Sequence, residues 1–544
     1  MSEKEIIPTV FARRASGLVR RTSGWTIAAA TFTYAIGAGV HVMATSANFT
    51  YPGGDVFLGF VISVLCMVWT TLSYIWLMAA MPRTGGDYIY ISRIINPAIA
   101  FVATWGLFIA NSVGMGFIAY WAVQNWGTAF TIAGSLTNNY TWIQIGDALQ
   151  HNYLMIIAIA ILLVVIFSLL TVLGIRTYTT VVWIALISCL AGSTLMCYTY
   201  IANMAPGSIQ AKWDANFGTG TYQKIWDLAL KTGFDPNKYW PNKFSMDATM
   251  GTALVGPFSL GQAGAIATYL GGEAKEPSKA AFQAVVGSAI LIFGYALLVT
   301  YLTTRVYGNF LNAYIWCYYN ARDDLSKILG RPAFLANMGS MASPLWPGNT
   351  TIQIFFPFLI AWYITKDLPA FALFASRNLF AYAFDRFLPE KIAEVNPRFN
   401  SPHWAIFLTC LLAFYGVIGG GLSDMGLPGY GSWFFGGEFS ILWNLQIVFG
   451  CLAAALLPLL RKDLYQTAFP KSIAGIPLVT IFGTIGFTMN FFLIIACAGK
   501  LPAESLAATL LWYGIGLAIF IAYWLYNEKR GIDPRVIYGQ IPPA

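Results

Sequence analysis

Residues 81–93 read Met81-Pro-Arg-Thr-Gly-Gly-Asp-Tyr-Ile-Tyr-Ile-Ser-Arg93, a polar, glycine-containing hinge between two long apolar segments. Upstream, an apolar run is interrupted by Ile36-Gly-Ala-Gly-Val40. Downstream, a second interrupted run containing Leu260-Gly-Gln-Ala-Gly264 leads into Gly272-Glu-Ala-Lys-Glu-Pro277. Glycine weakens a helix by about 1 kcal/mol relative to alanine, so each run has a built-in weak point. The surrounding chain is 57% hydrophobic and 10% charged over 544 residues, with a mean hydropathy of +0.62. A soluble protein would carry about 25% charged residues, so the soluble classes are excluded.

Apolar runs near the ~20 residues needed to cross a bilayer recur along the whole sequence. They place about twelve spans, at 27–48, 54–80, 97–125, 153–174, 179–202, 248–270, 281–304, 350–377, 403–422, 437–460, 472–497 and 503–526. No water reaches the bilayer core to satisfy backbone groups, so spans this long must be helices. The expected class is an all-α polytopic membrane protein. Residues 1–25, with Arg13, Arg14, Arg20 and Arg21, read as a cytoplasmic tail and not as a cleavable signal peptide, because the first apolar run is too long. The transporter core is expected over 26–460, as halves 26–202 and 248–460 joined by an outside loop. Two further helices cover 461–527, and a tail covers 528–544.

The net charge of +8 is topological. With an even span count and both termini inside, the cytoplasmic segments hold Arg83, Arg93, Arg176, Lys275, Lys279, Arg386, Lys391, Arg398, Arg461, Lys462, Lys529 and Arg530, the bias that orients membrane proteins. Nucleic acid is therefore not an expected partner; the lipid bilayer is. Three N-x-[ST] sequons, Asn48, Asn139 and Asn349, fall in segments placed outside. Cys66, Cys189, Cys197, Cys410, Cys451 and Cys497 lie within spans and Cys317 in an outside loop, while His41, His151 and His403 are scattered. No spacing suggests a metal site. No cofactor, metal or catalytic set is expected, and an enzyme is the weakest reading.

Two loops are long. Residues 203–247 mix aromatics with Lys and Asp and read either as a cap over an entrance or as a solvated connection. Residues 306–349 begin aromatic and continue as a short amphipathic helix near Asp323–Leu329, closed by Gly330-Arg-Pro332.

Glycine interruptions in corresponding places of two halves point to discontinuous helices at a midplane site. An unwound segment frees backbone groups that are tolerated in a membrane only if buried or facing a cavity, and the half-helix N-terminus offers donors to an anion. On the glycines alone, close helix packing explains the pattern as well.

The ordered set of motifs resembles the amino acid–polyamine–organocation permeases. Ile36-Gly-Ala-Gly-Val40 is similar to the family's broken first helix, Met81–Tyr88 to the loop after its second, and Gly272–Pro277 to the loop after its sixth. Phe384-Asp-Arg-Phe-Leu-Pro389, followed by Asn396-Pro and Ser401-Pro, matches in outline the stretch after its eighth. The resemblance is clear over roughly residues 25–410. It implies a five-plus-five inverted repeat with helices one and six unwound at the substrate site. By that resemblance Gly37, Ala38 and Gly39, with Ile36 beside them, would meet a substrate carboxylate through backbone N–H groups. Gly261, Gln262 and Ala263 would lie near the amino group, and Phe258 would be an apolar gate. Ala38 stands where the family often has serine, which leaves only backbone donors there. The sixth-helix match needs a one-residue shift around Tyr269–Gly272.

Lys366-Asp367 is the unusual feature within a span. Residues 350–385 are too short for two crossings, so they must form one long or kinked helix. If Arg377 marks the cytoplasmic boundary, Lys366 lies about 16 Å deeper at 1.5 Å per residue, near mid-membrane. A charge there costs about 2.5–3.5 kcal/mol on insertion scales and usually serves a pathway. Pro369 deprives the Thr365 carbonyl of its helical partner. By resemblance this segment faces the first helix, where sodium-coupled relatives hold a cation; Lys366 is expected to substitute for it and to cycle a proton. Asp367, about 100° around the helix, is expected to pair elsewhere or to face the vestibule. A static charge pair that fixes helix register is the alternative. His41 reads as a packing residue or an outer pH sensor. Trp105, Asn111 and Asn444 read as lining groups or helix contacts.

The expectation is a permease for a small-molecule substrate, an amino acid or amine. It would work by alternating access, proton-coupled or exchanging, and independent of sodium. A transporter of polyamines, nucleobases or other organic cations, and a non-transporting membrane sensor, stand as alternatives. A free acidic side chain in the site would favour an amine.

Overall fold

The structure, a computed structural model, describes residues 10–13, 15–260, 263–426 and 439–543, with the side chains of 257–259 excepted. Among these, eleven helices are long and apolar enough to cross a membrane. In the order of the expected spans they are Gly24–Thr50, Val56–Ala80, Pro97–Thr137, Tyr153–Val172, Ile175–Ala202, then Pro277–Tyr307 as the seventh, Thr350–Phe384, His403–Asp424, Phe439–Leu460, Leu478–Ala498 and Ala503–Lys529. The expected sixth segment, 248–270, is divided among helices Met246–Thr252 and Val255–Leu260 and a 3-10 turn at Ile266–Glu273. The protein is an all-α polytopic membrane protein.

Short polar side chains set where these helices begin, each accepting from a backbone N–H that the first turn leaves unpaired. Ser23 accepts from Thr26 at 3.2 Å, Asp55 from Leu58 at 3.1 Å, Asn152 from Met155 at 3.2 Å and Asn349 from Ile352 at 3.1 Å. Asn96 caps the third span ahead of Pro97, whose fixed φ suits a first helical turn. That helix runs to Thr137, well past the expected 125. The eleventh helix starts at Leu478 and not at 472, because Ser472–Ile473 pairs with Ile476–Pro477 across a turn in which Ala474 and Gly475 have φ 52 and 80.

Burial separates core from periphery. In the first and eighth spans 89% of the apolar window is buried, against 22% in the twelfth and 28% in the fourth and eleventh. The third span is the central post, packed against the eighth, ninth and tenth, while the first packs against the fifth, seventh and eighth.

The two long loops are folded together at one face. Helices Ser208–Phe217, Thr221–Lys231 and Asn309–Asn320 enclose a fully buried Trp213, edge-on to Phe310 at 5.0 Å, and Tyr222 stacks on Phe310 at 4.2 Å. Residues 203–247 are thus a packed cap. The amphipathic helix is Arg322–Leu329, ended by Gly330 at φ 65. Cys317 is buried in the cap, its Sγ 3.6 Å from the Ile225 carbonyl oxygen. Of the sequons, Asn48 is buried and donates to the Trp240 carbonyl at 3.3 Å, so it is no glycan acceptor; Asn349 is exposed.

The motif loops meet at the opposite face. Gly85 and Gly86 take φ 106 and 44, conformations that side chains resist. A Cβ at Gly86 would also lie 2.6 Å from the Tyr269 ring, and one at Gly85 2.6 Å from Ala381. The paired glycines therefore let the 81–93 loop press against both the sixth segment and the eighth span. Arg93 forks onto Asp385 at 2.6 and 2.8 Å. Thr22 hydrogen-bonds the Glu273 carbonyl through both N–H and Oγ1. Arg377 is buried, its Nε 2.9 Å from Glu273 Oε1, and the helix continues past it to Phe384.

Candidate functional site

The first helix stops at Ala35. Ile36 sits at φ −102 and ψ 84, outside the helical region, and the chain resumes as a π-helical turn, Gly39–Met43, followed by Ala44–Thr50. In an unbroken helix the Thr33 and Ile36 carbonyls would accept from N–H groups four residues on. Here both accept from the Lys366 ammonium, at 2.5 and 2.6 Å.

Lys366 comes from a second break. The eighth span consists of helices Thr350–Thr365 and Leu368–Phe384, with Lys366 and Asp367 at the joint and Pro369 in the first turn that follows. The third donor of Lys366 goes to Asp367 Oδ1 at 2.6 Å, so all three ammonium donors are used. The Lys366 and Asp367 side chains are 0% and 3% exposed. The expectation that Asp367 pairs elsewhere or faces the vestibule is thereby corrected. Both residues keep helical φ and ψ, so it is side-chain rotation that brings the carboxylate back onto Lys366, beside Gly37 and Ala38. A methyl group at Gly37 would overlap that carboxylate.

A small cavity opens at this junction, lined on the first span by Tyr34, Ala35, Gly37, Ala38 and Gly39, and across from it by Asp367, Phe371, Ile118 and Trp443. Its volume is about 20 Å³, little more than a water's room. The Tyr34 and Phe371 rings lie 4.8 Å apart and Phe371 and Trp443 5.9 Å apart. Asn111 Oδ1 ties two of these together, accepting from the Tyr34 hydroxyl and, at 3.1 Å, from Trp443 Nε1.

Of the expected residues, Gly37, Ala38 and Gly39 line the cavity and Ile36 supplies a carbonyl to Lys366. Ala263 is buried, its N–H donating to the Leu260 carbonyl at 2.9 Å, and does not line the cavity. Gly261, Gln262 and the Phe258 side chain lie outside the described residues. Trp105 packs among Phe101 and Phe108, and Asn444 donates to the Ser440 carbonyl at 2.7 Å; neither lines the cavity. Tyr34, Ile118, Phe371 and Trp443 went unread, although Tyr34 adjoins the glycine motif and Trp443 adjoins Asn444. His41 is fully buried. Its Nδ1 lies 2.9 Å from the Gly37 carbonyl oxygen and its Nε2 2.6 Å from the Tyr295 hydroxyl, with Ser193 donating to that hydroxyl at 3.0 Å.

Access differs at the two faces. Below the cap, a vestibule of about 300 Å³ is bounded by Val42, Met43 and Ser46 of the first span, with Trp121, Tyr318 and Asp424 among its walls. The motif face is shut. Beyond the Arg93–Asp385 and Arg377–Glu273 pairs, helix Pro534–Gly539 lies across it. Tyr88 and Tyr538 share a 3.0 Å hydroxyl contact, and Arg83 Nε donates to the Pro542 carbonyl at 2.6 Å. Asp87, in the same loop, accepts from the Tyr74 hydroxyl. Burial pushes its carboxyl from an ordinary 3.8 up to about 7, against the opposing pull of the Tyr74 and Tyr269 hydroxyls.

A broken first span, a fixed ammonium on its freed carbonyls and a one-sided vestibule are the parts of a membrane transporter. Residues 23–523 match the model of the amino acid permease family, and the chain belongs to that family, as a multi-pass membrane transporter of the amino acid–polyamine–organocation type.

Proposed function

We propose that the protein carries amino acids across the membrane by alternating access, coupled to protons and independent of sodium, with both termini cytoplasmic. The observation that carries this reading is the Lys366 ammonium on the Thr33 and Ile36 carbonyls. Carbonyls freed at a helix break are ligands for a hard cation. A covalently held cation leaves that place no work for sodium.

In this reading the substrate carboxylate meets Gly37, Ala38 and Gly39. The amino group lies toward Gly261, Gln262 and Ala263, Phe258 gates the site, and the Tyr34–Phe371–Trp443 layer faces the substrate's apolar part. The 20 Å³ cavity is the closed form of this site, which must widen to admit substrate. An amine substrate is less well supported, because the acid in the cavity, Asp367, already has Lys366 as its partner.

The test is uptake of a labelled amino-acid panel into proteoliposomes, without sodium, with and without an inward proton gradient. Accumulation that collapses with the gradient is expected. Uptake of amines or nucleobases alone would overturn the substrate assignment, and dependence on sodium would overturn the role of Lys366.

A further inference from the structure

The ammonium beside the glycine motif that would meet a substrate carboxylate already holds a carboxylate belonging to the chain. Asp367 lies beside Ala38 in the cavity wall, 2.6 Å from Lys366 Nζ. Its contact with Gly37 is so close that no side chain fits at that position. Asn111, buried and bonded to two lining residues, has an Nδ2 with no hydrogen-bond partner among the described residues. The site thus has its anion place filled from within and a polar donor left over at its edge.

We propose that Asp367 is a tethered stand-in for the substrate carboxylate, and that substrate binds by displacing it as Asp367 takes up one proton. This inference rests on the amino acid reading above. Two carboxylates brought against one ammonium do not both stay ionised. When the substrate carboxylate arrives at Lys366 and Ala38, one proton from the aqueous vestibule binds an Asp367 oxygen, and the neutral carboxyl gives up its place. Lys366 remains charged throughout. On release the proton leaves, and the Asp367 carboxylate returns to Ala38 and Lys366. One zwitterion and one proton move together, so each cycle carries one positive charge. The proton carrier is then Asp367, and Lys366 is the fixed counter-charge.

The surroundings leave few rivals for that proton. On the first span Tyr34 faces Asp367 and His41 faces Lys366. Cys189 on the fifth span faces both. On the eighth, the Tyr363 ring lies tilted against His41 at 4.7 Å, and on the seventh Tyr295 bonds the same ring. The third and tenth spans contribute Ile118 and Trp443 to the cavity, neither of them titratable. Among these groups Asp367 alone is a carboxylic acid.

The experiment uses the full chain and the amino acid taken up fastest in the panel, beside the amine obtained by removing its carboxyl group. In weakly buffered detergent with a pH indicator, the wild type is expected to take up about one proton per amino acid bound and none with the amine. Amino acid affinity should weaken by about tenfold per pH unit above the titration of Asp367, as one linked proton requires. In proteoliposomes, Asp367→Asn should lose accumulation driven by the proton gradient and bind amino acid with a flat pH profile; Asp367→Glu should restore the slope. Amino acid binding without proton uptake, or gradient-driven accumulation by Asp367→Asn, overturns the inference alone. Failure of every amino acid to bind or enter overturns the substrate reading, and the inference falls with it.

Discussion

The Lys366 ammonium reaches the Ile36 carbonyl at 2.6 Å, joining the break in the eighth span to the break in the first across 330 residues of sequence. Each break creates the other's partner. A proline-linked joint frees a lysine to turn inward, and a glycine-weakened segment frees the carbonyls that receive it. Removing one partner from a buried ion pair leaves the other uncompensated, at a cost of about 3–5 kcal/mol. Lys366→Ala should therefore lower the unfolding temperature of the purified protein and abolish transport. The double variant Lys366→Ala/Asp367→Ala should recover much of the stability but none of the transport. Differential scanning fluorimetry beside proteoliposome uptake separates the two effects; a transport-competent double variant would count against the pair.

The Arg93–Asp385 pair holds the motif face shut with both side chains fully buried. Asp385→Ala should destabilise by about 3–5 kcal/mol for the same reason. The charge swap Arg93→Asp/Asp385→Arg should restore part of that loss. The check is thermal unfolding of the three variants, and a swap no better than the single change would mean the surrounding Tyr88 and Tyr538 contacts dominate.

The segment from Pro534 to Pro543 packs over that face, with Ile537 fully buried and the Arg93 guanidinium 5.1 Å from the Tyr538 ring centroid. Tyr538→Ala should loosen this cover. A cysteine introduced at Ile89, buried beneath it, should then react several-fold faster with a membrane-impermeant maleimide added from the motif face. Unchanged labelling would mean the segment is no barrier.

Asp87 gives a pH-dependent stability whose sign is fixed. Its folded carboxyl titrates at about 7, above an ordinary 3.8. The protonated form is thus favoured in the fold. That contribution is complete below about pH 4 and is lost as pH rises through about 7. The slope is at most about 1.4 kcal/mol per pH unit. Asp87→Asn keeps an acceptor for the Tyr74 hydroxyl and cannot ionise. It should flatten the unfolding temperature between pH 5 and 8 and raise it at pH 8. A variant as pH-sensitive as the wild type would locate the dependence elsewhere.

Much of this was legible before any coordinates. Lys366 stood out because a charge in an apolar run is costly, and Pro369 marked the kink beside it. The glycines of residues 37–39 and 85–86 marked where backbones press together. What stayed hidden depended on contacts between distant segments. Asp367 was given a direction from backbone spacing alone, and side-chain rotation brings its carboxylate back to Lys366. Tyr34, Phe371 and Trp443 were lost among a chain that is 16% aromatic, where only packing decides which rings face a cavity. The pairing of Arg377 was hidden because its partner, Glu273, lies 104 residues away. Residues 528–544 read as a tail because nothing local signals that Ile537 and Tyr538 are buried.

The most direct measurement is lumenal pH in proteoliposomes loaded with an impermeant pH dye, at equal pH on both sides and with no sodium, after external amino acid is added. The account predicts that the lumen acidifies as labelled amino acid enters, about one proton per substrate, and that Asp367→Asn abolishes the acidification. Amino acid entry with no change in lumenal pH, or entry only when sodium is supplied, would contradict it.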